Sequence, residues 1–448
     1  MPCAPTRSVA RPRPPHSDPV PRRLRRWLQR ELPTLRATLE TSAAACAADA
    51  GRKHFFSFAH ACLLLYHGLR GGPSLRQSYE SFGACPGLVQ LSGLAHHAAP
   101  EAGLAVSFSQ FALSNTTRPA TFLAGSVASL LGRLQQQGQG QALPCPGDLV
   151  IQDSTFLRLS LKLSPWLPPD RRARASIGVR VQFHYRPALD LPEHVLVTDT
   201  RRNDCTGLDA ALLDDPLRLA ALAGHTLVVD LGYYSHARFA RLRAAAVHFV
   251  SRLQPQARVT VVGTQEVPYP FAGLDAGRIT VRQDARVTVG SATNRGGTVL
   301  AGLRLVTAEV APTLAAARLG KPVQTYQILT DRGDLPALEV VQLYVWRWQI
   351  ELFFRWLKTH LHLSHLLGYS LNAVRLTVWL ALLVHLLTLL AACALGYQRR
   401  SPALRARVAI TFLQLTVAAV TALADAPRQL PLLPVALSPP LAEPYRTT

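Results

Sequence analysis

The chain's 448 residues are too many for one compact core, and an apolar fraction of 48% excludes a disordered chain. The chain has 48 Lys and Arg residues against 27 Asp and Glu, a formal net charge of +21. This charge favours nucleic acid or an anionic membrane as the partner, although a GC-rich coding bias can produce the same excess of basic residues. The seven cysteines include no C-x-x-C pair, which disfavours a zinc site and a disulfide framework and fits a reducing cytoplasm.

Residues 1–30 are predicted to be a disordered basic arm that is rich in Pro and Arg. Arg22, Arg23, Arg25 and Arg26 lie near its end. Such an arm can lie along DNA phosphates, or it can serve only as a solubilising tail, and the sequence leaves both interpretations open.

Residues 31–145 show apolar residues at three- and four-residue spacing, so they are predicted to form a helical domain. Leu104 to Leu113 and Thr117 to Leu131 are predicted as two helices joined by a short turn. In a basic protein this arrangement permits a helix-turn-helix, and hence a DNA-binding domain, although any small helical bundle has the same pattern.

Residues 146–255 change in character, because β-branched runs now alternate with helical stretches. This alternation predicts a mixed α/β sheet. The predicted strands are Asp148–Asp153, Ile177–Tyr185, His194–Asp199, Thr226–Asp230 and His248–Leu253.

Residues 256–330 lose the helical period. Arg278–Arg282 and Arg286–Val289 each alternate polar and apolar residues, which is typical of half-buried antiparallel strands. We therefore expect an all-β insertion within the α/β core.

Residues 331–395 return to helix, and residues 396–448 are predicted to hold one helix, Leu404–Leu423, followed by Pro-rich coil. The stretch from Leu376 to Leu395 has no formal charge and is long enough to cross a membrane. Because it is a single stretch that follows a helix crowded with charged residues, we predict a buried core helix, with a membrane span as the alternative.

The segment Leu343–His360 carries the strongest functional pattern. On a helix with about 100° per residue, five polar side chains share an arc of roughly 80°; they are Tyr344, Arg347, Glu351, Arg355 and Lys358. The rest of the helix is apolar, which predicts burial, and buried charges must be paired or must bind a ligand. One carboxylate and several cationic donors suit a phosphodiester and a divalent cation.

The spacing Tyr344-x2-Arg347-x3-Glu351-x6-Lys358 resembles the Y-R-E-K signature of insertion-sequence transposases of the IS4 type, with a DDE carboxylate triad. Upstream, LVIQDSTFLRL and VVDLGYYS resemble the family's first and second aspartate motifs. The resemblance covers roughly residues 55–395. It implies a ribonuclease-H-like core with an inserted β domain.

The resemblance makes Asp153, Asp230 and Glu351 the catalytic metal ligands. It implies two Mg2+ ions about 4 Å apart, with Mn2+ as a substitute. Asp153 and Asp230 each end a predicted strand, so they can converge with a carboxylate on a helix.

The remaining implied contacts are with DNA. By resemblance, Tyr344, Arg347 and Lys358 hold phosphates near the cut, and Arg355 is added because it shares their arc. The implied substrates are double-stranded DNA at the element's terminal repeats and at the target, which are bound by a dimer in the bacterial cytoplasm.

The sequence departs from relatives that cut through a hairpin intermediate, which stack a flipped base on a tryptophan of the β insertion. Residues 257–330 contain no Trp; Tyr269, Phe271 and Tyr326 are the aromatics there. Two further alternatives are an inactive DNA-binding regulator and a ribonuclease-H-like nuclease without strand transfer.

Overall fold

The computed structural model describes residues 19–70, 74–95, 104–136, 146, 148–159, 178–199, 204–265, 278–291 and 297–394. The N-terminal part is helical: α1 (Pro19–Ala45), α2 (Ser57–Leu69), α3 (Leu75–Gly83), α4 (Pro86–Ser92), α5 (Phe108–Thr117) and α6 (Thr121–Gln136). Strands and helices then alternate: β1 (Leu149–Arg158), β2 (Gly178–Arg186), β3 (Leu191–Asp199), α7 (Asp204–Leu208), α8 (Pro216–Ala221), β4 (Thr226–Val229), α9 (His236–Ala244) and β5 (His248–Arg252). The remaining elements are β6 (Val259–Thr264), β7 (Ile279–Val289), β8 (Leu300–Val310), α10 (Leu314–Arg318), β9 (Gln324–Thr330), α11 (Ala337–Trp346), α12 (Trp348–Thr359) and α13 (Leu371–Ala394).

The end of the predicted basic arm is helical rather than disordered, because α1 already begins at Pro19. Leu24 and Trp27 are buried against the other helices, and this apolar contact fixes the helix. Arg23 and Arg26 are exposed. Residues 1–18 lie outside the described part of the chain.

The two helices predicted near residues 104–131 are α5 and α6, each displaced a few residues towards the C-terminus. Ser107 begins α5 with a capping box, since its hydroxyl accepts from the Gln110 N–H and the Gln110 side chain accepts from the Ser107 N–H. Between the helices, the buried Arg118 donates to two carbonyls of the segment before α2. The DNA-binding role of this region stays a prediction.

The described strands form one mixed sheet in the order β3-β2-β1-β4-β5-β9-β8-β7-β6, which confirms the predicted mixed α/β fold. Strands β1, β4 and β5 run parallel to one another, and every other neighbouring pair is antiparallel. Ile151 belongs to the core shared with the helices α11 to α13, whereas Val150 belongs to the core on the face covered by α9. The sheet is thus buried on both faces at its central strands β1 and β4, whereas the edge strand β6 is largely exposed.

Two expectations for residues 256–330 need correction. Strands β6 to β9 do not form a sheet of their own, because β9 pairs with β5 and so continues the core sheet. The two predicted strands at residues 278–289 are one strand, β7, whose pairing with β8 shifts register between Val281 and Gln283. This irregularity interrupts the alternation of burial without ending the strand, so the pattern resembled two strands. The region also contains a helix, α10.

The predicted helix Leu343–His360 is divided at Arg347 into α11 and α12. The Arg347 N–H donates to the Tyr344 carbonyl at 3.1 Å, and the Ile350 N–H donates to the Arg347 carbonyl at 3.2 Å. Hydrogen bonds between residues three apart, as in a 3-10 helix, tighten the chain there. The rotation of about 100° per residue assumed by the helical wheel therefore does not apply across the break.

Helix α13 contains the uncharged stretch and, in the described part of the chain, is long and apolar enough to cross a membrane by length and composition. It is mostly buried, since 83% of its apolar window lies inside the fold. Helices α2, α5 and α6 pack against it, together with α12. This favours the core-helix interpretation. The predicted tail, residues 396–448, lies outside the described residues.

Candidate active site

Asp153 and Asp230 are brought together by the parallel pairing of β1 with β4. In this pair Gln152 lies opposite Val229, so both aspartates follow directly after paired residues. Asp230 lies just beyond its strand, as expected. Asp153 does not end its strand, because β1 continues to Arg158 in antiparallel pairing with β2. The site therefore forms where β1 extends beyond β4.

Glu351 reaches the same place from the first turn of α12. This helix is held over β1 and β2 by aromatic packing: the rings of Phe353 and Tyr185 stack with centroids 4.9 Å apart, and Phe354 lies 5.3 Å from Phe183. These contacts bury one side of the helix against the sheet and so hold Glu351 close to the aspartates.

The guanidinium of Arg347 lies between the three carboxylates. Its Nη1 is 2.9 Å from Glu351 Oε1 and 3.7 Å from Asp153 Oδ2, and its Nε is 3.8 Å from Asp230 Oδ1. Three acidic side chains from three separate elements thus converge within 4 Å of one arginine. With three negative charges and one positive charge, the cluster has a net charge of −2 when it is fully ionised.

Tyr344 contacts the cluster rather than open solvent. Its hydroxyl donates to Asp230 Oδ1 at 3.1 Å, and the side chain is buried at the end of α11. Burial and the neighbouring Asp230 raise the pKa of Tyr344 well above its ordinary value, so the hydroxyl keeps its proton. In this geometry Tyr344 orients a carboxylate.

Burial and crowding alter the protonation of the acids. Burial raises the pKa of Asp153 to about 6, helped by the charges of Asp230 and Glu351 and opposed by the Ser154 N–H and by Arg347. Burial also raises the pKa of Glu351, although Arg347 opposes the shift. Burial alone would lower the pKa of Arg347, but the surrounding carboxylates raise it above its ordinary value. Strongly perturbed carboxylates in a cleft are typical of functional sites.

Comparison with known sequences decides the family. The pattern described as Transposase DDE domain matches residues 144–387, more than half of the chain, and includes the three carboxylates. This chain belongs to the DDE transposase family. Members of this family form a class of enzymes that cut DNA and transfer strands.

Two curated relatives extend the comparison. The transposase is 29% identical over 282 residues to a protein assigned as transposase y4zB of Sinorhizobium fredii, covering 62% of this chain and 70% of that protein. It is 23% identical over 262 residues to a protein assigned as the transposase for insertion sequence element IS5377 of Geobacillus stearothermophilus, covering 58% and 61%. The chain is therefore an insertion-sequence transposase by family.

A solved structure, the piggyBac transposase synaptic complex with hairpin DNA, also matches the transposase. The match covers 92% of this chain and 80% of that chain, at 10% identity and a TM-score of 0.40.

The family uses divalent metal ions, and the residues of this site suit one. Carboxylate oxygens are the ligands preferred by Mg2+ and Mn2+, and the negative net charge of the cluster attracts divalent cations. In the described residues, however, no three His, Cys, Asp or Glu side chains stand close enough together to hold an ion as they are. Arg347 lies between the carboxylates, so their side chains must turn inwards to share a cation.

Lys358 and Arg355, the remaining predicted phosphate ligands of the transposase, lie further along α12. Arg355 is exposed and Lys358 is half-buried, and neither forms an ion pair with the three carboxylates. Burial lowers the pKa of Lys358. The geometry thus separates a carboxylate cluster from a cationic segment further along the helix.

Trp348 is a residue that the sequence interpretation overlooked. It directly follows Arg347 and is 51% exposed, although a tryptophan is ordinarily buried. A helical wheel of α12 alone could have identified it, since Trp348 and Arg355 are seven residues apart and so lie within about 20° of each other.

Proposed function

We propose that this transposase is of the IS4 type and that Asp153, Asp230 and Glu351 are its catalytic carboxylates. The convergence of these three side chains around Arg347 carries the proposal. They come from β1, from the end of β4 and from α12, positions far apart in the chain. The strand order β3-β2-β1-β4-β5, with the acids on the two central neighbours, supports a ribonuclease-H-like core.

The proposed reaction has two phosphoryl-transfer steps. In the first, a water oxygen forms a bond to the phosphorus at the element's end while the bond to the 3′ oxygen breaks, leaving a 3′-OH and a 5′-phosphate. In the second, that 3′ oxygen attacks a phosphorus of target DNA and displaces a target 3′ oxygen. Each step exchanges one P–O bond for another, so no energy-rich co-reactant is needed.

The side chains of the site would hold the metal ions in position and balance the charges around them. We infer that Asp153, Asp230 and Glu351 hold two Mg2+ ions, for which Mn2+ substitutes. When bound, these ions would activate the attacking oxygen and stabilise the leaving oxygen. Tyr344 fixes the carboxylate of Asp230 through its hydroxyl, and Arg347 offsets the repulsion between the acids.

The proposed DNA contacts extend from the site along α12. Arg347 adjoins the scissile phosphate, while Arg355 and Lys358 contact the backbone further along, because cations on one helix can follow a strand of phosphates. The helical region of residues 31–145 is assigned to recognition of the terminal repeats, and paired ends require a dimer. The enzyme acts on double-stranded DNA in the bacterial cytoplasm.

The test compares wild type with Glu351→Gln on DNA that carries the element's own ends, with Mg2+ or Mn2+. Glutamine keeps the size of the side chain but removes its charge, so end binding should persist while cutting is lost. Glu339→Gln, the same substitution at a glutamate of α11 that lies outside both the cluster and residues 31–145, is the control. Binding is measured by gel shift and cutting by denaturing gel.

The products separate the alternatives. Metal-dependent nicking by wild type, followed by joining to target DNA, supports the transposase. Nicking without joining at any target would instead indicate a ribonuclease-H-like nuclease, and binding of the ends with no cutting in any metal would indicate a DNA-binding regulator.

A further inference from the structure

A cavity of about 420 Å³ lies between the end of β1 and the end of α12. Phe156, Leu157 and Arg158 line it from the strand, Lys358 from the helix, and Ser364 from the segment that leads to α13. A volume of this size lies within the ordinary range for small-ligand pockets and exceeds what one phosphate group needs. The cavity can therefore accommodate a nucleotide unit.

The polar groups of the cavity are cationic or hydroxylic. In the described part of the chain, neither Arg158 nor Lys358 forms an ion pair, although Lys358 is half-buried. Both side chains carry a positive charge that can pair with an incoming phosphate. Ser364 adds a hydroxyl that can donate to the same anion.

The cavity lies along both elements that carry the catalytic acids. Arg158 is five residues beyond Asp153 on an extended strand, roughly 17 Å away. Lys358 is seven residues beyond Glu351 on a helix, about 10 Å away. Phosphates recur about every 3.4 Å of axis on each strand of B-form DNA, so these spans correspond to roughly three to five nucleotides.

We propose that this cavity is a nucleotide subsite, in which Arg158, Lys358 and Ser364 hold one phosphate of the DNA strand within about five nucleotides of the cut. The inference rests on the proposed function, since it takes the bound strand to be the one that is cleaved. It adds two residues, Arg158 and Ser364, to the binding surface. It also limits the number of nucleotides between the bound phosphate and the scissile phosphate.

The test neutralises single phosphates and single side chains together. End DNA is prepared with one methylphosphonate linkage at each of about the first five positions on either side of the cut, the window set by the spans above. Binding is measured in EDTA, so that the result does not depend on cutting. The variants are Arg158→Ala and Ser364→Ala, and Arg318→Ala, which removes an exposed arginine that does not line the cavity, is the control.

We expect wild type and Arg318→Ala to lose about tenfold in affinity at one or two adjacent linkages. Arg158→Ala should bind unmodified DNA about tenfold more weakly and should lose nothing further at those linkages, because the partner is already missing. Ser364→Ala should show the same coupling with a smaller loss.

The subsite is overturned if Arg158→Ala loses as much affinity as wild type at a methylphosphonate linkage. It is also overturned if no linkage within the window weakens the binding of wild type. Failure of wild type to cut in Mg2+ while it keeps this binding pattern would overturn the proposed chemistry alone. The two failures are therefore distinguishable.

Discussion

Replacing Arg347 by Met tests whether the three carboxylates converge as described. Methionine keeps an unbranched side chain of similar length but removes the guanidinium that lies within 4 Å of all three acids. The net charge of the ionised cluster then changes from −2 to −3. We expect a less stable protein without metal and a larger stabilisation by metal.

The size of the effect follows from the burial of the partners. Breaking a buried ion pair costs about 3–5 kcal/mol, whereas an exposed pair contributes roughly 0–1 kcal/mol. Arg347 is 14% exposed, but Asp230 is 42% exposed, and only the contact to Glu351 has hydrogen-bond length. An intermediate loss of about 2 kcal/mol in the free energy of unfolding is therefore expected at pH 8.

The loss should shrink at low pH. The folded-state pKa of Asp153, raised to about 6, lies above its ordinary value, so ionising this acid costs stability as the pH rises towards 6. Below that pH the acid is protonated, the repulsion in the variant falls, and wild type and variant should approach each other.

Urea unfolding followed by circular dichroism, at pH 8 and pH 5 and with EDTA or Mn2+, gives these free energies. Arg355→Met is the matched control, because it removes an exposed arginine from the same helix. At one fixed Mn2+ concentration, about 100 times the dissociation constant of the variant, the variant should gain roughly 2.7 kcal/mol, and wild type, which binds the ion more weakly, should gain less. The reasoning is refuted if Arg347→Met costs no more than Arg355→Met at pH 8, or if Mn2+ stabilises the variant no more than wild type.

Two further changes test the sheet and the helical region. Arg304 and Asp284 form a buried bidentate pair, and Arg304 also donates to carbonyls of residues 332 and 335, just before α11. Arg304→Met should therefore cost about 3–5 kcal/mol. The double change with Asp284→Leu should recover part of this loss, because no buried carboxylate is left unpaired, although the two carbonyls still lack their donor. A double variant as unstable as the sum of the two single changes would count against this account. His60 is buried and bonded to Asn115, and burial lowers its pKa to about 3, so it must fold neutral. Because the ordinary pKa of histidine is 6.5, the free energy of unfolding falls as the pH drops below that value, by roughly 2 kcal/mol at pH 5. His60→Gln should lose this part of the acid sensitivity, as measured by urea titrations at pH 7 and pH 5. An unchanged acid sensitivity in the variant would contradict this prediction.

The local patterns of the sequence were sufficient to locate many of the helices and strands. Alternating and β-branched runs located the strands from β1 to β5 to within a few residues, and the apolar period located α6 and α13. The pattern could not show that β1 continues past Asp153, because the continuation depends on β2 remaining as its partner as far as Gly178. Nor could it show that α1 begins at Pro19, where the burial of Leu24 and Trp27 outweighs a basic composition.

The sequence by itself determined which residue types could perform the chemistry and how they are spaced along each element. Three separate local motifs, through their resemblance to a known family, pointed to Asp153, Asp230 and Glu351. Only the tertiary structure decided which of these side chains contact one another. The tightened turn at Arg347 places its guanidinium between the acids, and the Tyr344 hydroxyl donates a hydrogen bond to Asp230. The same holds for the cavity beside Lys358, which needs β1 and α12 side by side. Spacing within an element is fixed by helix and strand geometry, whereas the distance between elements depends on long-range pairing and packing, which no local pattern encodes.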